Sequence, residues 1–256
     1  MAPFWHRSGT VLARFEDAST GYASDVPTIE PADRHRLGVL ALVWFGLVGT
    51  AVAIGSQMPG STGVDHRISE WFADHRSQAW NKVSATFSNL ASTFVVIGIA
   101  LVVVIACAIR RRWPDIVFVV VAMAGEVTMF LTITLLVDRS RPDVSHLDGA
   151  PPTSSFPSGH VFATFVLWNT IAVLATRLQW SAPLQMLARA LAVAMPIAVG
   201  VSRISRGMHH PTDVLASFAL GLVWMFALCI VLRPDAFRRR SDRPVIDEVD
   251  QVALSQ

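Results

Sequence analysis

Charge is scarce in this chain: Asp, Glu, Lys and Arg make up 16% of its 256 residues, against 52% hydrophobic residues. An ordinary soluble domain carries about 25% charged residues, so the composition excludes one. With a mean hydropathy of +0.47 the chain reads as a polytopic membrane protein. Cysteine is nearly absent. Cys107 and Cys229 each lie inside an apolar run, where a thiol behaves as a small buried hydrophobe, so neither a disulfide nor a metal site is expected. A concentrated basic surface is also missing. The formal net charge is +2, and the basic residues are spread over short loops, which points away from nucleic acid. There is no internal repeat and no low-complexity tract. Residues 1–36 contain no hydrophobic run and carry Pro27 and Pro31. They are expected to form a polar cytoplasmic tail without a secretory signal, and the first apolar run to be a retained anchor. Residues 233–256 alternate basic and acidic stretches and read as a second, solvated cytoplasmic tail, whose Arg238–Arg240 cluster suits anionic headgroups.

What is present is a set of apolar segments at about 37–55, 93–109, 114–137, 161–177, 184–202 and 212–232. Several are near the lower limit of the roughly 17 to 25 residues that a spanning helix needs, so some helices should extend into adjoining loops. The expected fold is all-α: a six-transmembrane-helix bundle over 37–232. Twelve arginines flank one set of span ends and seven basic residues the other, which predicts both termini on the cytoplasmic side of a cell membrane. Trp113 and Trp180 fall at predicted span ends, as an interfacial aromatic belt requires. In the first outer loop, Val64, Ile68, Trp71 and Phe72 recur at i, i+4, i+7 and i+8, and Trp80, Val83, Phe87 and Leu90 at i, i+3, i+7 and i+10. That spacing predicts two amphipathic helices. They either lie in the outer interface beside a lipid entrance or pack on the bundle to cover helix ends.

Glu126 stands near the middle of the third span. At that depth it must be neutral, paired or facing the bundle interior, and a hydrogen-bonded interhelical contact is expected. It precedes Arg141 by fifteen residues, about 22 Å of helix, too far to act on the same substrate group.

Two short runs carry the chemistry. In Phe156-Pro157-Ser158-Gly159-His160 a loop enters the fourth span, so the Ser158 and Gly159 N–H groups should lack intrahelical partners and form an anion site. Glycine there removes a Cβ that would obstruct an approaching oxygen. In the second run, His209 precedes Asp213 by four residues with Pro211 between them, a position suited to the start of a helix. A carboxylate on one imidazole nitrogen fixes the tautomer and frees the other for attack. Arg141 and Arg203, at two more span ends, offer planar forks to phosphate oxygens. Taken singly, a histidine at a membrane surface is usually just interfacial and an arginine at a helix end usually snorkels. Here Arg141, His160, Arg203, His209 and Asp213 all fall on one side of the predicted topology, at the ends of four helices.

Arg141-Pro142, then Pro157-Ser158-Gly159-His160, then Ser202-Arg203 with His209 and Asp213, resemble the three signature motifs of the type 2 phosphatidic acid phosphatase (lipid phosphate phosphatase) superfamily, over about 134–213. The resemblance implies that His209 is the nucleophile forming a phosphohistidine and that Asp213 orients it. It implies that His160 protonates the leaving alkoxide and then helps activate water. Arg141, Arg203 and the Ser158 and Gly159 backbone would hold the phosphoryl oxygens. It implies no metal and no cofactor. One position departs: where the family has a lysine seven residues before the Arg-Pro pair, this chain has Thr134, and its one lysine is Lys82. Thr134 offers a hydroxyl without charge, and Arg139 is a second candidate replacement, unless it simply meets headgroups or Asp138.

The expected activity is removal of a terminal phosphate from a membrane lipid at the outer face. Prenyl diphosphate, phosphatidate and phosphatidylglycerol phosphate are the candidate substrates, and membrane lipids are the expected partners. The alternatives are a phosphotransferase using the same intermediate and a lipid-binding or transport protein in which the absent lysine marks lost catalysis. Vanadium haloperoxidases share the motifs but are soluble, which the hydrophobic content disfavours.

Overall fold

Eight α-helices and no strand are present among the described residues, 31–58, 60, 63–150 and 152–232, of a computed structural model. They are α1 (Pro31–Gly55), α2 (Gly63–Asp74), α3 (Gln78–Leu90), α4 (Thr93–Ile109), α5 (Trp113–Leu136), α6 (Gly159–Arg177), α7 (Ala182–Ser205) and α8 (Pro211–Val231). Residues 1–30 and 233–256 of the expected tails lie outside the described residues, and 31–36 are already helical. The chain divides into one unit ending at Gly38 and another beginning at Val39, and every candidate site residue belongs to the second.

Local sequence explains the helix starts. Pro114, Pro183 and Pro211 sit in the first turns of α5, α7 and α8, where a missing N–H costs nothing. The Ser77 hydroxyl caps α3 by accepting from the Trp80 N–H at 3.1 Å. Five helices, α1 and α5 to α8, are long and apolar enough to cross a membrane. The second expected span, α4, has 17 residues and follows α3 across a 47° bend. The all-α multi-pass arrangement is therefore present among the described residues, with five spans by length and composition, or six where the bent pair counts as one.

The core gathers Phe118, Met129 and Ile133 of α5, Phe162 and Val166 of α6, and Leu220, Trp224 and Leu228 of α8. Trp224 fixes the α5–α8 contact by donating from Nε1 to the Ala122 carbonyl at 3.0 Å. Large apolar side chains such as Leu42, Phe94, Ile109 and Phe226 stay exposed on the outer helix faces, as side chains facing lipid do. At the end of the bundle where α5 begins and α6 finishes, Arg112 and Arg177 both pair with Asp115. Trp113 and Trp180 are exposed at that same end.

The amphipathic helices α2 and α3 occur where the periodicity placed them, but each turns its polar side to the bundle. Asp65, Ser69, Ser84 and Ser88 are buried, while Val64, Trp71, Val83 and Leu90 are exposed. The Ser202 hydroxyl donates to the Ser84 carbonyl at 2.7 Å, and Trp80 Nε1 to the Ser205 hydroxyl at 2.6 Å. Only Ile68, Phe72 and Phe87 pack inward, against Val161, Val199 and Val214. The pair thus covers the end of the bundle with hydrogen bonds and leaves an apolar strip outward.

The proline-rich loop between α5 and α6 is pinned to this cover. Arg76 donates to the Ser145 and Ser205 carbonyls, both at 2.8 Å. Gly207 stands at φ +74°, and a Cβ there would lie 2.8 Å from the Ser145 carbonyl oxygen. Only glycine meets both conditions, so the α7–α8 corner can seat the loop.

Candidate active site

The loop, α3, α5, α6 and the α7–α8 corner enclose a cavity of about 420 Å³. Arg141, Gly159, His160, Arg203 and His209 all line it. Five of the residues singled out from sequence, drawn from segments far apart in the chain, thus meet at one place.

Each is held by identifiable groups. Arg141 donates from Nη1 to the Met208 carbonyl at 2.7 Å. Arg203 donates from Nη1 to the Ser88 hydroxyl at 2.7 Å and to Asp148 at 2.8 Å. Asp148, which also lines the cavity, is shared with Arg206 at 2.8 Å. The Arg206 hydrogen bond holds its carboxyl below the usual carboxylate range despite burial. In both Arg141 and Arg203 the Nε is buried without a partner. Buried donors are nearly always paired, so these two guanidinium nitrogens are donors that an anion in the cavity could meet.

His209 is 5% exposed, and its Nδ1 lies 2.7 Å from the Ser155 carbonyl oxygen. A carbonyl only accepts, so Nδ1 carries the proton and Nε2 of the neutral ring keeps its lone pair. Asp213 Oδ2 is farther from Nδ1, at 3.8 Å. The expected orienting role of Asp213 is therefore not a direct hydrogen bond here: the Ser155 carbonyl supplies it, and Asp213 contributes its charge nearby. Burial pushes the His209 pKa below its ordinary 6.5, a shift that the Asp213 carboxylate partly offsets.

Asp213 is engaged elsewhere. As the third residue of α8 it accepts the His210 N–H at 2.8 Å in a capping box. It also pairs through Oδ1 with Arg139, whose Nη2 reaches Asp65 of α2 at 2.7 Å. Thr212 completes the cluster, its N–H donating to Asp65 at 3.1 Å. Burial alone would raise the Asp65 pKa, but the Thr212 and Arg139 hydrogen bonds outweigh it and hold it low. Neither candidate replacement for the missing lysine lines the cavity. Arg139 is spent on the two aspartates, and the Thr134 hydroxyl is buried without a partner. The cavity wall on α5 is instead formed by Phe130.

The helix start behaves unevenly. The first bond of α6 runs from the Phe162 N–H to the Ser158 carbonyl at 3.0 Å, so the Gly159 and His160 N–H groups precede the intrahelical ladder. The Ser158 N–H, expected to face an anion, is turned to the Asp213 carbonyl at 3.4 Å, and Ser158 does not line the cavity. Gly159 lines the cavity, and a Cβ there would also lie 2.8 Å from the Phe130 ring.

A second cavity of about 610 Å³ runs between α4, α5 and α6 and shares Phe130, Gly159 and His160 with the first. Its walls are chiefly aliphatic. Glu126 lines it, is 2% exposed, and leaves Oε2 without a hydrogen-bond partner, so the expected interhelical contact of that oxygen is absent.

Sequence reasoning missed Ser88, Asp148, Ser155 and Asp65. Ser155 acts through its backbone, which no residue type signals. Asp65 and Ser88 sat on the polar faces of amphipathic helices, where polar residues are ordinarily solvated. Among the described residues no group of three or more His, Cys, Asp or Glu side chains is placed to hold a metal ion.

The chain is similar to known proteins in sequence and in fold. Residues 115–236 match the PAP2 superfamily. The chain is 29% identical to phosphatidylglycerophosphatase B of Bacillus subtilis (strain 168) over 155 residues, 58% of this chain and 74% of that protein. It is 30% identical over 108 residues to the bacitracin transport permease protein BcrC of Bacillus licheniformis, covering 42% of this chain and 48% of that one. The fold is shared with the crystal structure of a transmembrane PAP2 type phosphatidylglycerolphosphate phosphatase from Bacillus subtilis, at a TM-score of 0.63 and 21% identity over 80% of this chain and 96% of that one. It is also shared with Aquifex aeolicus LpxE, at a TM-score of 0.53 and 20% identity over 69% and 99%.

Proposed function

From the premise that this chain carries a PAP2 superfamily domain over residues 115–236, we propose that this membrane lipid phosphatase hydrolyses the terminal phosphate of a lipid phosphate or diphosphate through a phosphohistidine on His209. The observation that carries the reading is the single cavity in which the unpaired Nε groups of Arg141 and Arg203 accompany a histidine whose Nδ1 proton is fixed by Ser155.

In the first step the His209 Nε2 lone pair attacks phosphorus, the bond from phosphorus to the lipid oxygen breaks, and His160 gives that oxygen a proton. In the second, water attacks the phosphohistidine, His160 takes the water proton, the P–N bond breaks, and inorganic phosphate leaves. Arg141, Arg203 and the Gly159 N–H stabilise the equatorial oxygens, the main requirement of phosphoryl transfer. The nearby Asp213 carboxylate stabilises the imidazolium that attack creates. The lipid chain occupies the aliphatic cavity, which meets the phosphate cavity at Phe130, Gly159 and His160. Phosphatidylglycerol phosphate is supported by the likeness to phosphatidylglycerophosphatase B, and phosphatidate and prenyl diphosphate remain within the same chemistry.

The test is phosphate release by purified protein from these three lipids, with and without chelator. Release from at least one, unaffected by chelation, is expected. Strict metal dependence, or transfer of phosphate to an acceptor without release, contradicts the proposal.

Attack requires neutral His209, and burial lowers its pKa. Burial should therefore keep any acid limb due to His209 below 6.5, the ordinary histidine value. The same shift contributes stability that is full above 6.5 and is lost as pH falls toward the folded-state pKa. An acid limb in kcat/KM centred at or above 6.5 would count against His209 as nucleophile.

The arginine asymmetry supports cytoplasmic termini and a site facing outward. Gly149 lines the cavity mouth with open space beside it. A Gly149→Cys variant should react with a membrane-impermeant thiol reagent on intact cells. Labelling only after the membrane is broken would invert the topology.

A further inference from the structure

Glu126 takes no part in the phosphoryl transfer. It lies on α5 four residues before Phe130, about 6 Å along the helix axis, and Phe130 is where the two cavities meet. Among the residues lining the aliphatic cavity it supplies the only carboxyl group, with Val119, Met123, Val127 and Leu101 around it. Its Oε2 is buried without a hydrogen-bond partner. An unpaired polar atom in such surroundings is unfavourable, and a carboxyl group inside a spanning helix ordinarily has a partner or a function. Among the described residues none partners Oε2, so a ligand that brings a polar atom to this depth would supply the partner.

Two candidate lipid classes differ at that depth. A prenyl phosphate continues from its phosphate as pure hydrocarbon. A phosphorylated glycerolipid carries ester carbonyls a few bonds beyond the phosphorus, so polar atoms follow the phosphate past Phe130 into the cavity that Glu126 lines. We propose that Glu126 is a specificity-determining residue whose carboxyl O–H donates to an ester carbonyl of the bound lipid, making a phosphorylated diacylglycerol the favoured substrate class. This rests on the lipid phosphatase reading and deepens it. The ester is recognised and not cleaved, so the bond changes at phosphorus are unaffected.

Comparison of diacyl phosphatidate with its dialkyl ether analogue isolates the carbonyls, because the two share headgroup and chains. The wild-type protein is expected to favour the ester by about tenfold in kcat/KM, the scale of one buried hydrogen bond. In Glu126→Leu the ester-to-ether ratio should fall to about one. Glu126→Gln retains an N–H donor and should keep most of the preference. A wild-type ratio near one, or a ratio in Glu126→Leu equal to that of the wild type, would overturn the assignment of Glu126 alone. Absence of phosphate release from both lipids by the wild-type protein would instead overturn the phosphatase reading on which it rests. The wild-type ratio needs no variant, so the assignment stays exposed to refutation even if a substitution disturbs folding.

Discussion

His209→Ala should lower phosphate release by about a thousandfold or more, the order seen when a covalent nucleophile is removed. The expectation comes from the geometry at both ring nitrogens. The Ser155 carbonyl accepts a hydrogen bond from the Nδ1–H, so the tautomer is set before substrate arrives and Nε2 is ready to attack. Alanine removes the attacking atom while leaving Arg141, Arg203 and Gly159 around the cavity. The variant should therefore still bind lipid phosphate and release almost nothing from it. His210 cannot substitute. Its ring turns to the Ser140 carbonyl at 3.1 Å, and it does not line the cavity. Retained hydrolysis in a purified, folded His209→Ala protein would remove the nucleophile from the mechanism.

The second large effect is expected from Arg139→Ala, and it falls on stability. Sequence alone made Arg139 a substitute for the missing lysine, which would place the loss in substrate affinity. The structure instead puts its guanidinium between Asp213 and Asp65, with side-chain exposures of 2%, 0% and 10% respectively. Removing the cation leaves two buried carboxylates facing each other, a change that typically costs about 3–5 kcal/mol. The unfolding temperature in detergent should drop by many degrees. A lysine at the position should recover part of the loss, since it restores the charge but not the fork that serves both acids. Any molecules that remain folded should show a KM close to that of the parent. Unchanged stability with a strongly raised KM would return Arg139 to the phosphate site.

The contrast between these residues shows what the sequence could carry. His209, Pro211 and Asp213 are local, and their spacing already implied a histidine beside a helix start. Arg141, His160 and Arg203 converge because each ends or begins a span on the same side, so counting apolar segments was enough to bring them together. Arg139 was not legible, because its partners Asp65 and Asp213 lie 74 residues away on either side. The inward serine face of α3 was hidden for a related reason. In water the apolar side of such a helix would pack inward, but beside a membrane Ser84 and Ser88 can serve the bundle while Val83 and Leu90 remain outside. Glu126 was flagged by its depth, yet its unpaired oxygen depends on what α4 and α6 fail to place beside it.

Asp148 lies against Arg203 as well as Arg206, so under the proposed function a phosphate oxygen would meet Arg203 at its Nε.

In the proposed reaction the phosphoryl group passes through His209 on its way to water. Two in-line displacements restore the starting configuration at phosphorus, whereas direct attack by water inverts it. Hydrolysis of an oxygen-isotope-chiral lipid thiophosphate by the purified protein measures the difference in the released thiophosphate. Overall retention is expected, and inversion would rule out the phosphohistidine.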